Sequence, residues 1–299
     1  MSFSGRVSGS SAADVVSVVI PVRNGDPWLE RQLTALAAQQ GAPPFEVIVA
    51  DNGSTDGSVA TAMAWGDRLD LRVVPAARPG INVARNTGAR AARGALLLFC
   101  DADDEVAPGW VAAMARAGAT APLLGGELDH TALNPADRRP RSSTPLTEGA
   151  LPVGLGFLPY PIGCCCAVRA DVFHALGGFD ETFAGGGDEV EFFWRAQLAG
   201  HALVHVPDAL VHYRQRPGAR SAFGQARGYG VAKARLYAHF REHLPRESWF
   251  RVIYSWLAVL SHAPDLLLAA KRLDYLRRVG NLVGQVEGSL RYRVRHLAE

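Results

Sequence analysis

Cysteine is scarce: there are four in 299 residues, three of them consecutive at Cys164, Cys165 and Cys166. That spacing suits neither a disulfide framework nor a CxxC zinc site, so reduced thiols in a cytoplasmic protein are the simpler expectation. Excess charge of one sign is also missing. Lys and Arg number 31 against 29 Asp and Glu, so no global field recruits nucleic acid. No uninterrupted apolar run reaches the roughly 20 residues of a spanning helix. The segment MSFSGRVSGSSAAD has no apolar stretch, and residues 1–14 are expected to form a flexible leader, not a signal peptide. Internal repeats are lacking too, which excludes solenoids and propellers.

What remains has ordinary globular composition. With 48% hydrophobic and 20% charged residues, the chain is long enough to bury one large core or two small ones. VVSVVIPV (15–22) reads as a buried strand stopped by proline and followed by the loop RNGDP. Leu29, Leu33, Leu36 and Ala37 then share one helical face, which QQGAPP ends. FEVIVAD is a second strand running into the turn residues NGSTDGS. LRVVP, a helix near 80–92 and ALLLFC continue the rhythm. Strands without alternation, separated by helices, predict a mostly parallel sheet covered on both faces, with ligands beyond the carboxyl ends of the strands.

After residue 130 the pattern changes. NPADRRPRSSTPLTEG reads as a polar loop or ordered lid, GLGFLPYPIGCCCAV as a binding wall. A helix over about 188–200 places Val190, Phe193, Trp194 and Leu198 on one face. From 247 onward the chain is helical and basic. His262, Pro264 and Asp265 break its apolar stretch, and two readings stand: a helix lying on an anionic membrane surface, or packing against the catalytic domain or a dimer partner.

Chemistry is concentrated in DADDE (101–105), four acids at the end of an apolar strand. In strand geometry Asp101 and Asp103 point to one face and can share a hard cation, Mg²⁺ or Mn²⁺, which completes its shell with water and phosphate oxygens. Turn and capping chemistry is the competing explanation. Arg85 in INVARNTGAR can meet phosphate, with Gly80 and Gly88 allowing close backbone approach, or can pair with an acid of the rim. Asp51 at the end of FEVIVAD can accept the N3–H of a uracil or thymine edge, with guanine left open, or can start an Asx-turn.

In this order and spacing, VVIPVRNGDPWLERQLTALAAQ, VIVADNGSTDGS and GINVARNTGARAARGALLLFCDADD resemble the family 2 glycosyltransferases with the GT-A fold. The resemblance covers about residues 15–215. It implies a nucleotide-sugar-binding half over 15–130, an acceptor-binding half over 131–220 and, beyond them, a helical C-terminal extension over 221–299. It also implies donor contacts from Pro21, Arg23, Asp51, Arg85, Asp101 and Asp103, and a metal at Asp103 and Asp101 with His212 as a further ligand. Arg214 and Arg216 would flank that histidine. GGFDETFAGGGDEVEFFWRAQLAGH resembles the segment in which such enzymes usually carry Glu-Asp, with the Asp as general base. Here the order is Asp188-Glu189, so either is the base candidate, while Asp188 with Glu191 also reads as a capping box.

The implied activity is inverting, metal-dependent sugar transfer from a nucleotide-diphosphate donor, a UDP-sugar favoured, to a saccharide or lipid-linked acceptor. Cell-surface polysaccharide or glycolipid assembly, in the cytoplasm or peripherally on the inner membrane face, is the expected setting. A catalytically silent GT-A-like assembly subunit is the alternative that the reversed acid pair keeps open. A nucleotidyltransferase is disfavoured, because VSVVIPVRNGDP lacks a Gly-rich phosphate loop with lysine.

Overall fold

The computed structural model describes residues 16–135, 149–183, 185–215 and 218–297. The leader, most of the NPADRRPRSSTPLTEG segment and Arg216 lie outside the described residues.

Strands β1 (Val16–Val22), β2 (Phe45–Asp51), β3 (Leu71–Pro75) and β4 (Leu96–Phe99) alternate with helices α1 (Trp28–Ala37), α2 (Ser58–Met63) and α3 (Ile81–Ala91). A short β5 (Glu105–Val106), α4 (Trp110–Gly118) and β6 (Leu123–Asp129) follow. A two-stranded ribbon, β7 (Val153–Gly154) with β8 (Leu158–Pro159), precedes β9 (Cys166–Arg169), α5 (Ala170–Ala175), α6 (Asp188–Leu198) and β10 (Leu203–His212). The chain ends in helices α7 (Ala219–His239), α8 (Trp249–Ser261), a 3-10 turn over Ala263–Leu267, and α9 (Ala269–Tyr292).

Eight strands form one sheet in the order β3-β2-β1-β4-β9-β6-β10-β5. β3, β2, β1 and β4 are mutually parallel, as are β6 and β10, and β9 runs antiparallel between β4 and β6. The fold is the expected mixed, mostly parallel sheet. Alternation along each strand feeds two cores: Leu96 and Leu98 pack with Leu33 and Trp110 on one face, while Leu97 and Phe99 pack with Phe173 and Phe192 on the other. Helices therefore cover both faces.

CCCAV is the main departure from the sequence reading. It is not only a pocket wall: from Cys166 it becomes a central strand, and all three sulfurs are buried as free thiols. Cys164 and Cys165 turn into the strand that Cys166 opens, and small apolar side chains buried on both faces leave no alternation to reveal it. In α6, Leu198 is exposed and Phe192 is buried instead. The helix is clasped on two sides, Phe192 and Phe193 facing the sheet and Val190 and Trp194 facing α7.

α7 and α9 meet backbone to backbone. A Cβ on Gly230 would fall 2.0 Å from the Asn281 carbonyl, and one on Gly284 would fall 2.0 Å from the Arg227 carbonyl. Glycine is required there by contact, not by a turn. Among the described residues, no helix is long and apolar enough to cross a membrane.

Candidate active site

α3 organises the site through side chains on its buried polar face. Asn82 donates to the Asp180 and Phe183 carbonyls, and Asn86 to the Phe179 carbonyl while accepting the Phe179 amide. These bonds fix the loop that carries GGFDETF. Between them Arg85, 4% exposed, donates through Nη1 to Asp188 (2.7 Å) and through Nη2 to Asp101 (3.1 Å). Of its two sequence readings, pairing with the acids is the one the geometry displays. Gly88 approaches Val19 of β1, where a Cβ would sit 2.4 Å from Cγ1; its close contact is with the sheet, not with phosphate.

The acidic segment is a turn. β4 stops at Phe99, and residues 102–104 turn before β5, so strand alternation does not govern Asp101 and Asp103. Gln32 braces it, accepting the Val106 amide and donating to the Asp101 carbonyl. Asp101 and Asp103 nevertheless line the same cleft of about 500 Å³, together with Pro21, Arg23, Trp28 and Arg214. Arg214 stacks 4.0 Å over the Trp28 ring and donates to the Asp103 carbonyl and Glu105. Asp51 does not line this cleft; its Oδ1 accepts the Ser54 amide, the Asx-type bond foreseen as its alternative, while the neighbouring Asn52 faces in.

Asp104 is buried at 1% exposure, accepts the Arg214 amide, and lies with Asp101 and Cys164 in a group whose ligand atoms are within 4.8 Å of one another. Burial and then the neighbouring Asp103 and Asp101 push its carboxyl well above the usual range, and burial likewise keeps Cys164 a thiol. A neutral thiol is a poor partner for Mg²⁺ or Mn²⁺, so this trio is not itself a hard-cation cage. Asp101 and Asp103, both facing the open cleft, supply the oxygen chemistry such an ion takes. His212 sits at the end of β10 with Nδ1 2.8 Å from Asp129, and does not line the cleft. A carboxylate on Nδ1 is how metal-ligating histidines are commonly oriented.

The reversed pair resolves into two environments. Gly187, in the left-handed region at φ 77°, ends the loop, and Asp188 is the first helical residue, so no Asp188 capping box forms. Glu191 pairs with Arg195 instead. Asp188 is committed to Arg85, whereas Glu189 lines a second pocket of about 220 Å³. Burial, and next the adjacent Asp188 charge, push Glu189 up to about 8. Of the three glycines, Gly185 and Gly186 pack on Gly228 and Tyr229 of α7, and Gly187 lines the pocket. The pocket lies between α6, α7 and α9, and Gln215 borders both it and the cleft.

Residues 17–177 match the family model for glycosyl transferase family 2. The chain belongs to that family. It is similar to glycosyltransferase AglE of Haloferax volcanii, with 29% identity over 70% of this chain and 69% of that one. To the pre-mycofactocin glycosyltransferase of Mycobacterium tuberculosis it is 32% identical, over 77% of this chain but 48% of that protein. The validoxylamine A glucosyltransferase of Streptomyces hygroscopicus subsp. limoneus is likewise spanned over about half its length, 49%, at 32% identity. Among solved structures, the Pyrobaculum calidifontis mannosyltransferase PcManGT, in complex with GDP-Man and Mn²⁺, superposes with a TM-score of 0.65 at 19% identity, over 91% of this chain and 86% of that one. TarS of S. aureus (residues 1–349) in complex with UDP gives 0.54 at 19% identity, over 94% and 92%. This family 2 chain thus has the GT-A fold of both neighbours.

Proposed function

We propose that this protein transfers a sugar from a nucleotide-diphosphate donor to an acceptor hydroxyl in one inverting displacement, with Glu189 as the base. One observation carries the assignment: Glu189 faces the pocket beside the acid-lined cleft, while Asp188 is engaged by Arg85. The acceptor O–H gives its proton to the Glu189 carboxylate, and its oxygen forms the new bond to the anomeric carbon. The bond from that carbon to the diphosphate oxygen breaks on the opposite face, and the nucleoside diphosphate leaves. A base with its pKa near the working pH suits this step.

Arg85 is a positioning residue, holding Asp101 and Asp188 in register across the site. Mg²⁺ or Mn²⁺, held by Asp103 and Asp101 with His212 as a further ligand, would supply positive charge beside the diphosphate. Pro21, Arg23, Trp28 and Arg214 form the donor wall, with Asn52 at the base-reading end and Asp51 behind it, holding the Ser54 turn. A UDP-sugar is the favoured donor.

We place the reaction in cell-surface polysaccharide or glycolipid assembly, with peripheral contact to an anionic membrane through α8. Phe250 is 79% exposed and Leu267 87%, and Trp249, Ile253, Tyr254, Leu257 and Leu260 are exposed beside them. Exposed Arg246, Lys271 and Arg272 flank this face. Cations beside an exposed apolar face suit an anionic membrane surface.

Calorimetric titration with UDP, dTDP, GDP and CDP, in Mn²⁺ and then in chelator, tests the donor assignment. One nucleotide should bind only with metal, and Asp103→Ala should abolish that binding. No binding of any of them would return the chain to the silent-subunit reading.

A further inference from the structure

The pocket that Glu189 lines takes nearly half of its wall from the C-terminal helices, and its charge is one-sided. Lys233 of α7 and Arg277 and Arg278 of α9 line it, while Glu189 is the one carboxylate among the described lining residues. With its pKa near 8, Glu189 is largely uncharged at neutral pH, so the wall carries net positive charge. Arg277 is held by Asp274 (3.1 Å) and by the Gln215 side chain (3.2 Å). Arg278 is half-buried and has no ion-pair partner among the described residues. Arg278 is therefore a cation available to an anion that enters the pocket.

A second observation points the same way. His130, 7% exposed, lines the same pocket, and burial lowers its pKa, so the ring is neutral. Its Nδ1 lies 3.4 Å from the Gln215 amide nitrogen, which leaves the proton on Nε2. That Nε2 is a buried donor without a partner among the described residues. It marks a polar demand beside the pocket that the described residues leave unmet. Tyr160 and Tyr229 also line the pocket and offer flat apolar faces.

We infer that the acceptor is an amphipathic anion: its reacting hydroxyl meets Glu189, its apolar or sugar body lies on the aromatic wall, and a phosphate or carboxylate is received by Arg278 with Lys233 and Arg277. This rests on the transfer reading of the site, which it deepens by naming the acceptor's chemical class. It also gives α7 and α9 a specificity role, separate from any contact α8 makes.

The test is calorimetric binding of hexyl phosphate, hexyl glucoside and inorganic phosphate to the full chain, to Arg278→Gln and to Arg278→Lys. Hexyl phosphate should bind more tightly than hexyl glucoside, lose roughly tenfold or more in affinity in Arg278→Gln, and recover in Arg278→Lys. Nucleoside diphosphate affinity should be the same in all three proteins. Inorganic phosphate binding as tightly as hexyl phosphate would reduce the site to free anion and overturn the amphipathic acceptor. Equal binding of the two hexyl probes, insensitive to Arg278→Gln, would remove the anion. A loss of nucleotide affinity in Arg278→Gln matching the loss for hexyl phosphate would reassign the cations to the donor diphosphate. Failure of every nucleotide to bind, with hexyl phosphate still bound through Arg278, would sink the transfer reading and leave the anion site standing.

Discussion

Two glutamates of shifted acidity stand at opposite ends of the strands, and their surroundings differ in kind. Glu46 is fully buried opposite Ser17, where β2 pairs with β1 near the start of the strands. It accepts the Ser17 hydroxyl and the Arg93 amide at 2.6 Å each through Oε1, and Arg72 at 2.6 Å and Arg93 Nε at 2.9 Å through Oε2. Burial opposes its charge, but these bonds outweigh it and hold the carboxyl below its ordinary 4.5. Glu189, beyond the carboxyl ends of the strands, is only half-buried, yet desolvation and the adjacent Asp188 push it up to about 8. The first is a carboxylate whose needs the fold has met; the second is left poised for a proton.

Substitution separates the two most sharply at Glu189. Glu189→Gln should lower the turnover rate by about 10²- to 10⁴-fold with donor binding retained, as steady-state kinetics and nucleotide titration would show. In the wild type, kcat/KM should rise with pH through about 8, as the base loses its proton. The stability consequence has the opposite direction. The folded chain keeps a proton that the unfolded chain releases above 4.5, so Glu189 lowers stability progressively between there and about 8. Glu189→Gln should therefore be more stable than wild type at pH 8, by about 1 kcal/mol or more. A variant that is inactive and less stable would instead mark Glu189 as structural.

Glu46→Gln should do the reverse, removing about 3 kcal/mol of stability and leaving kcat intact in the protein that stays folded. Because its folded-state pKa is depressed, its contribution is present above the unfolded value of 4.5 and is lost as the pH falls below it. Urea denaturation at pH 7 and at pH 3.5 would show the variant's deficit shrinking in acid. A deficit of equal size at both pH values would mean that packing, not charge, sets the cost.

The legibility of these regions in the sequence follows the same division. Apolar runs marked β1, β2 and β4, and the order of the motifs around them pointed to the family and the fold, because strand interiors write themselves as composition. β9 escaped because cysteine does not announce a strand, and the DADDE geometry was misjudged because a turn begins after Phe99. Asn82, Asn86 and Gln32 were missed as organisers of the site. Their signal was there in part: polar side chains on the inward faces of otherwise apolar helices require partners. What no linear pattern could show is that Asp188 would take Arg85 and free Glu189, since those contacts join residues 103 positions apart in sequence.

The smallest expected effect on stability belongs to the least buried region, α8. Only Val252 of its described side chains is buried, so Phe250, Ile253 and Leu257 contribute little to the core. Replacing all three with serine should change stability by only about 0.5 kcal/mol per site or less and leave nucleotide binding untouched. It should, however, abolish co-sedimentation with phosphatidylglycerol vesicles, which the wild type should favour over phosphatidylcholine and which high salt should weaken. Unchanged sedimentation of the triple variant would remove α8 from the membrane. A wild-type dimer in sedimentation velocity that the same substitutions dissolve would show that the face seats a second copy. The comparison of the two glutamates applies to apolar groups as well: a side chain whose physical needs the fold leaves unmet is where a partner should be sought.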